Sequence, residues 1–240
     1  MAFDATSDNL PERVSPACIR VASICAILTA LTAVAVHWLP DLWSNLTTFE
    51  SRVQLRHNVI YMGRFWIALI HCVLVVISMA AVPCLLNGIW RLIAMFGLGA
   101  YVMFAFVEML RTSLSIFAVN RAWRAGYETS SDEMQRRAFR AALDTFGGVN
   151  DALFFLFFLA FTTGPFCYGF ALLLKSGMEQ RIGFLFLLWG LLNLPSLIGT
   201  IVGNEALGAS FEWVGRYFQP AARLLIGVWL WNVRTRFRPT

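Results

Sequence analysis

Apolar runs recur along this chain, and each is about as long as a helix that crosses a bilayer. The first extends from Ala17 to Trp38 and holds one arginine, Arg20. A spanning helix needs about 20 mostly apolar residues, because the hydrocarbon core is about 30 Å thick and a helix rises about 1.5 Å per residue. The repetition of such runs indicates an all-α, polytopic membrane protein.

The runs predict a bundle of about six transmembrane helices. Residues 17–233 are expected to form this single domain, between an N-terminal tail (1–16) and a basic C-terminal tail (234–240). The sixth run is short for a span, so its helix is expected to begin earlier, near Phe211. After the first, the predicted spans are Val59–Leu86, Ile89–Val119, Val149–Leu174, Arg181–Val202 and Pro220–Val233.

Composition supports the lipid bilayer as the main partner. Of the 240 residues, 58% are hydrophobic and 14% are charged, whereas about a quarter of the residues in a soluble domain are charged. The net charge is +5, but the basic residues fall in the connections and the C-terminal tail. They form no stripe interleaved with aromatic residues, so nucleic acid is not an expected partner.

Several kinds of chemistry lack the residues that they need. A retinal Schiff base requires a lysine within the membrane, and the only lysine, Lys175, lies in a connection. The chain has no G-x-x-x-x-G-K-[ST], H-E-x-x-H or G-x-S-x-G motif, and its five cysteines include no C-x-x-C pair. We therefore predict no catalytic residue, no metal and no cofactor, and an enzyme is not favoured.

The segment from Ser130 to Thr145 is predicted to be an amphipathic helix. Ser130 is the expected N-cap, with Glu133 three residues later. The pairs Asp132–Arg136 and Glu133–Arg137 have the i, i+4 spacing of helical ion pairs. Two placements remain open: the helix lies in the membrane interface, or it extends the fourth span outward.

Ionisable residues inside a membrane bundle usually face its interior or a wet cavity, because burial in lipid is costly. In the second predicted span, residues at steps of three, four and seven share one face: His57, Tyr61, Arg64, Ala68 and His71. A similar stripe in the third span consists of Tyr101, Phe104, Glu108, Arg111 and Ser115.

These two stripes are expected to meet, because a short turn joins the two spans. We call the end of the bundle that holds the first, third and fifth connections the loop end, and the end that holds both termini the terminus end. Arg64 and Glu108 lie roughly 8 to 15 Å from the loop end. The sequence therefore predicts an Arg64–Glu108 ion pair.

The other polar residues of the spans also lie toward the loop end, with Glu212, Arg216 and Arg223 expected at the loop entrance of the sixth span. The terminus end is aromatic and aliphatic. This asymmetry predicts a polar pocket open at the loop end. Its candidate ligand-binding residues are Arg64, Glu108, Arg111, Asn150, Asp151 and Glu205. The same residues suit a second interpretation, in which the ion pairs only fix the register of the helices.

Two functions follow from these interpretations. The first is an integral membrane protein that binds or transports a small molecule or ion through the polar pocket. The alternative is an accessory or scaffold subunit, whose aromatic faces pack against other membrane subunits. Counts of Arg and Lys in the connections are nearly equal at the two ends, and the basic tail favours cytoplasmic termini.

Short motifs in the second half of the chain resemble a family of six-helix bacterial integral membrane proteins known only as a domain of unknown function. They are Ser131-Asp132-Glu133, Asp144 before a Phe-rich span, Phe166…Gly169-Phe170, Lys175-Ser176-Gly177, Arg181-Ile182-Gly183 and Trp229-Leu230-Trp231. Glu108 also lies where such proteins carry a buried glutamate. The resemblance implies six spans in a bacterial inner membrane with cytoplasmic termini, and it implies no activity.

Overall fold

The computed structural model describes residues 15–204, 207 and 210–233, and every regular element among them is helical. Both predicted tails lie outside these residues, apart from positions 15 and 16. Glu205 also lies outside them. The prediction of an all-α chain is thus confirmed for the part that the structure describes.

The first two long helices begin at side-chain caps. Helix α1 (Pro16–Trp38) follows Ser15, whose hydroxyl accepts a hydrogen bond from the Ala17 amide. Helix α3 (Val59–Met79) follows Asn58, whose side-chain oxygen accepts from two backbone amides of the first turn. Such caps satisfy amides that have no partner within the helix. Two short helices flank α3: α2 (Phe49–Gln54) and α4 (Ala81–Cys84).

The third long helix changes its hydrogen-bonding pattern near the loop end. Helix α5 (Gly88–Leu114) continues through a π-helical segment (Ser115–Trp123) into α6 (Arg124–Thr129). The Asn120 side-chain amide donates to the Ser115 carbonyl at 2.6 Å. A π-helical turn accommodates an extra residue in a helix, and such turns often lie at functional sites.

The fourth long helix resolves the placement of the amphipathic segment. Helix α7 (Glu133–Leu173) is continuous over 41 residues, so this segment extends the fourth span instead of lying apart from it. The expected cap was wrong: Asp132, not Ser130, caps the helix and accepts from the Met134 amide at 3.0 Å. The Glu133–Arg137 pair forms at 3.3 Å on the surface.

Two further helices complete the bundle. Helix α8 (Met178–Val202) is followed by a short helix α9 (Ser210–Trp213), a π-helical segment (Val214–Phe218) and helix α10 (Gln219–Val233). The last three run without interruption from position 210. The last helix therefore begins ten residues before Pro220, near the expected Phe211.

Within residues 15–204, 207 and 210–233, five helical segments are long and apolar enough to cross a membrane, which makes the chain a multi-pass membrane protein. They are Pro16–Trp43, Val59–Cys84, Gly88–Thr129, Glu133–Leu173 and Met178–Val202.

The long helices form a ring in chain order. Helix α1 packs on α3, α3 on α5, α5 on α7 and α7 on α8, while α10 packs along α1. Helices α8 and α10 touch at only a few residues. The contact that closes the ring is therefore smaller than the contacts between the other neighbouring long helices. The interior away from the loop end is filled by buried rings that pack on one another, the aromatic floor: Tyr101, Phe161, Tyr168, Phe186 and Trp189.

Helices α7 and α8 approach closely because glycines lie at their contact. A Cβ atom on Gly183 would lie 2.9 Å from the Leu173 backbone nitrogen. One on Gly169 would lie 2.9 Å from the Leu187 backbone nitrogen. Small residues let helix backbones approach in a membrane, where packing replaces the hydrophobic effect as the force between helices.

We predict that Gly183→Ala destabilises the protein by about 1–3 kcal/mol, because the new methyl group meets backbone that cannot rotate away. Gly99→Ala is the matched control, since a Cβ atom at Gly99 meets nothing within 4 Å. Unfolding followed by circular dichroism in mixed detergent measures both variants. Equal stabilities would contradict the role of Gly183 in helix packing.

Candidate functional site

A cavity of about 280 Å³ opens between the helices in the loop half of the bundle. Helices α1, α3, α5, α7 and α10 line it, whereas α8 does not. Its polar lining consists of His37, Arg64, His71, Glu108, Arg111, Thr112 and Gln219. A second cavity of about 350 Å³ lies beside it toward the loop end, and Arg64, Phe65 and Arg111 line both.

The strongest polar contact of the site joins Glu108 and Arg111. The guanidinium of Arg111 donates from Nε to Oε2 of Glu108 at 2.8 Å and from Nη2 to Oε1 at 2.6 Å. This bidentate geometry is the one that a planar guanidinium and a carboxylate favour. Arg111 also lies over the Phe154 ring at 4.6 Å and reaches Asn150 at 3.4 Å, so it links α5 to α7.

The predicted Arg64–Glu108 ion pair was wrong. Both residues line the cavity, but Glu108 is already bound through both oxygens by Arg111, three residues along the same helix. Arg64 instead stacks on aromatic rings, 4.4 Å from the Tyr61 centroid and 4.7 Å from that of Phe65. Its Nε has no hydrogen-bond partner within the described residues. The cavity therefore holds one arginine in an ion pair and one outside it.

Two histidines reach the deeper part of the cavity. His71 Nδ1 lies 2.7 Å from the Thr32 hydroxyl. His37 Nε2 lies 2.8 Å from Gln219 Oε1, and because that oxygen only accepts, the histidine donates. These contacts hold α3 and α10 to α1 at the depth of the cavity.

The remaining predicted site residues have different positions. Asn150 is half-buried and lines the second cavity. Asp151 is exposed and lines neither cavity, because the next residue on a helix points about 100° away from its neighbour. Glu205 lies outside the described residues, so its part in the site stays a prediction.

Phenylalanine rings form the apolar wall of the cavity. Phe65, Phe104, Phe154 and Phe157 line it from α3, α5 and α7. Phe104 and Phe157 pack edge to face with ring centroids 5.0 Å apart. Below this wall, the aromatic floor closes the bundle toward the terminus end. The cavity thus has charge near its mouth and apolar surface on its sides.

The carboxylate of Glu128 binds several side chains of the connection before α3 and holds this connection at the loop end. Glu128, at the end of α6, accepts from Gln54 at 3.1 Å and lies 2.9 Å from His57 Nε2. Arg56 also donates to it from Nε. The sequence places His57 on the stripe of the second span. Its side chain is half-exposed and contacts Glu128 instead of lining the cavity.

Some site residues were not recognised from the sequence. Gln219 and Thr112 line the cavity, but an isolated glutamine or threonine gives no signal of its own in an apolar run. Arg223 was expected at the loop entrance of the sixth helix, and the structure buries it completely. The helix already includes Trp213 and Arg216, before Pro220, so Arg223 lies several turns from its start. This early start is the sequence signal that places Arg223 inside the bundle.

No group of three or more His, Cys, Asp and Glu side chains that could hold a metal ion occurs among residues 15–204, 207 and 210–233. No protein-family model, no curated protein and no solved structure matches this chain.

We predict that Glu108→Gln lowers the free energy of unfolding by roughly 2–4 kcal/mol, because it leaves the partly buried Arg111 without its carboxylate. Glu133→Gln removes a similar pair on the surface, where such pairs contribute less than about 1 kcal/mol. Chemical unfolding of both variants in detergent gives the comparison. Similar losses in the two would show that the Glu108–Arg111 pair contributes no more than a surface pair.

Proposed function

We propose that the chain binds a small organic molecule with a negatively charged group in the cavity at the loop end. The observation that supports this most is the charge of the lining: two arginines, Arg64 and Arg111, face one carboxylate, Glu108. Since Arg111 already holds Glu108, Arg64 carries the uncompensated charge. A ligand carboxylate or phosphate is the natural partner of such a guanidinium.

The walls favour an apolar body attached to that charged group. Ligand pockets are mostly apolar with a few placed polar groups, and the four phenylalanines of the cavity supply such a surface. His71 and Gln219 supply hydrogen bonds at greater depth. The two adjoining cavities give a molecule from the loop side a route along Arg64 to this wall.

We also propose that α9 and α10 form a sixth span. Their contacts with α1 follow an antiparallel register along its length: Trp231 lies beside Arg20, Gly227 beside Ser23, and Tyr217 beside Trp38. A helix that runs alongside a spanning helix from end to end has the same membrane depth. Six spans place both termini on one side, and the resemblance and the basic tail favour the cytoplasmic side of a bacterial inner membrane.

Reporter fusions test the sixth span. A reporter that is active only in the cytoplasm is placed after residue 203 in one fusion and after residue 240 in another. We expect the two fusions to give opposite activities, because a spanning helix separates the two points. Equal activities would mean that residues 210–233 do not cross, and that the chain has five spans.

The binding proposal is tested with a panel of carboxylates of increasing apolar size, from acetate to benzoate and hexanoate. Isothermal titration of the purified protein in detergent should show affinity rising with apolar size. Arg64→Gln should weaken binding of the larger acids by about tenfold or more, which corresponds to the loss of a charge-assisted hydrogen bond. The protein should remain folded.

Arg91→Gln is the matched control, since Arg91 is an exposed arginine at the terminus end. It should bind the acids as the unaltered protein does. If no acid binds, or if the two variants lose affinity equally, the cavity is not the binding site. Native mass spectrometry of the same preparations would then identify any co-purifying subunit, as the scaffold alternative requires.

A further inference from the structure

Arg223 is completely buried, more so than any other charged side chain in the part of the chain that the structure describes. It lies on α10, thirteen residues after Ser210, where the continuous helical segment begins, and ten before Val233. About 20 Å and 15 Å of helix therefore lie on its two sides. Its side chain is fully buried. An arginine near a helix end extends its side chain to the headgroups, but from the centre of the bundle this is not possible.

The surroundings of Arg223 contain no carboxylate among the described residues. Its guanidinium carbon lies 5.2 Å from the centroid of the Trp189 ring, and its ionisable neighbours are Tyr101, Cys72, His37 and His71. Both carboxylate oxygens of Glu108 already accept hydrogen bonds from Arg111. Nε, Nη1 and Nη2 of Arg223 all lack a hydrogen-bond partner in the part of the chain that the structure describes.

Neighbouring side chains add donors to this surplus. The Tyr101 hydroxyl and the Trp189 indole N–H are buried and also lack a hydrogen-bond partner within the described ranges. Asn193, one helical turn beyond Trp189 on α8, has a buried amide whose nitrogen and oxygen both lack a partner there, so it offers a donor and an acceptor. An arginine offers five N–H donors and no acceptor. The group as a whole therefore favours a ligand that accepts hydrogen bonds and is negatively charged.

A buried charge without a partner is costly, and the cation–π contact with Trp189 offsets only a part of that cost. Lipid phosphate is excluded as the partner by depth, since Arg223 lies at the midplane of the helix and inside the ring. A small anion in the interior supplies the hydrogen-bond acceptors that the described residues do not supply to Arg223. The planar fork of the guanidinium matches two oxygens of a planar oxyanion.

We propose that Arg223 is the binding group of a second, deeper site, which takes a planar monovalent oxyanion of the carboxylate class. Trp189 packs against the guanidinium on α8, and Tyr101 lies beside it on α5. Gln219, one turn nearer the loop end on α10, lines the cavity and receives the hydrogen bond of His37. Arg223 lies one turn deeper and lines neither of the two cavities. The deeper site does not depend on the cavity binding an organic molecule.

The test uses the whole chain in detergent, with formate as the probe and chloride at the same ionic strength as the comparison. Formate should raise the unfolding temperature and give a saturable titration, because a ligand that binds only the folded state stabilises it. Arg223→Met should weaken formate binding by about tenfold or more. Without formate, its unfolding temperature should equal or exceed that of the unaltered protein, because an unpaired buried charge has been removed.

Two further variants separate loss of the site from loss of the fold. Arg223→Lys retains the charge and loses the planar fork, so it should lose the preference for formate over chloride. This variant tests the site if Arg223→Met does not fold. Arg64→Gln should bind formate as before, whatever it does to larger acids. The proposal is overturned if the unaltered protein does not bind formate, if Arg223→Met binds it equally well, or if Arg64→Gln alone abolishes binding.

Discussion

The architecture depends on one constraint: a side chain that faces hydrocarbon has no water with which to exchange hydrogen bonds. The outer surface is accordingly apolar, with exposed residues such as Phe96, Phe106 and Leu191. Several charged side chains within the helices turn inward, where Arg111 and Glu108 satisfy each other and Arg64 packs on aromatic rings. The polar groups need space as well as partners, and the ring of helices provides it as a cavity at one end. The aromatic floor packs below the cavity, toward the terminus end.

The spans and the facing stripes were predictable from the sequence because both follow from helix geometry. The length of an apolar run gives the span, and residues seven apart share a face. Arg64, Ala68 and His71 on α3 face the same cavity as Phe104, Glu108 and Arg111 on α5. The partner of Glu108 was not predictable in this way. Arg64 and Arg111 both lie within reach of it, and side-chain rotamers, set by the rings around each arginine, decide which of them binds.

The start of the last helix was predicted near Phe211, but the depth of Arg223 was not. The charged residues Glu212 and Arg216 lie in the first turns of this helix, and Arg216 binds Asp41 at 2.7 and 2.8 Å at the loop end. Because these turns precede Pro220, Arg223 lies deeper than its position just after Pro220 suggests. The π-helical segments were not predicted, since one extra residue hardly disturbs an apolar pattern that spans six turns.

The contacts between neighbouring helices differ in extent around the ring. Helices α5, α7 and α8 are bound to one another through glycine contacts and stacked rings, and α1 and α10 form a second tightly packed pair. Only a few residues of α8 and α10 touch each other. Arg223 and Phe218 pack against the Trp189 ring of α8 and supply part of this contact. Local opening of a folded protein starts where few buried contacts hold its parts together. Separation of α8 from α10 therefore depends mainly on the loss of the contacts that the buried Trp189 ring makes with Arg223 and Phe218.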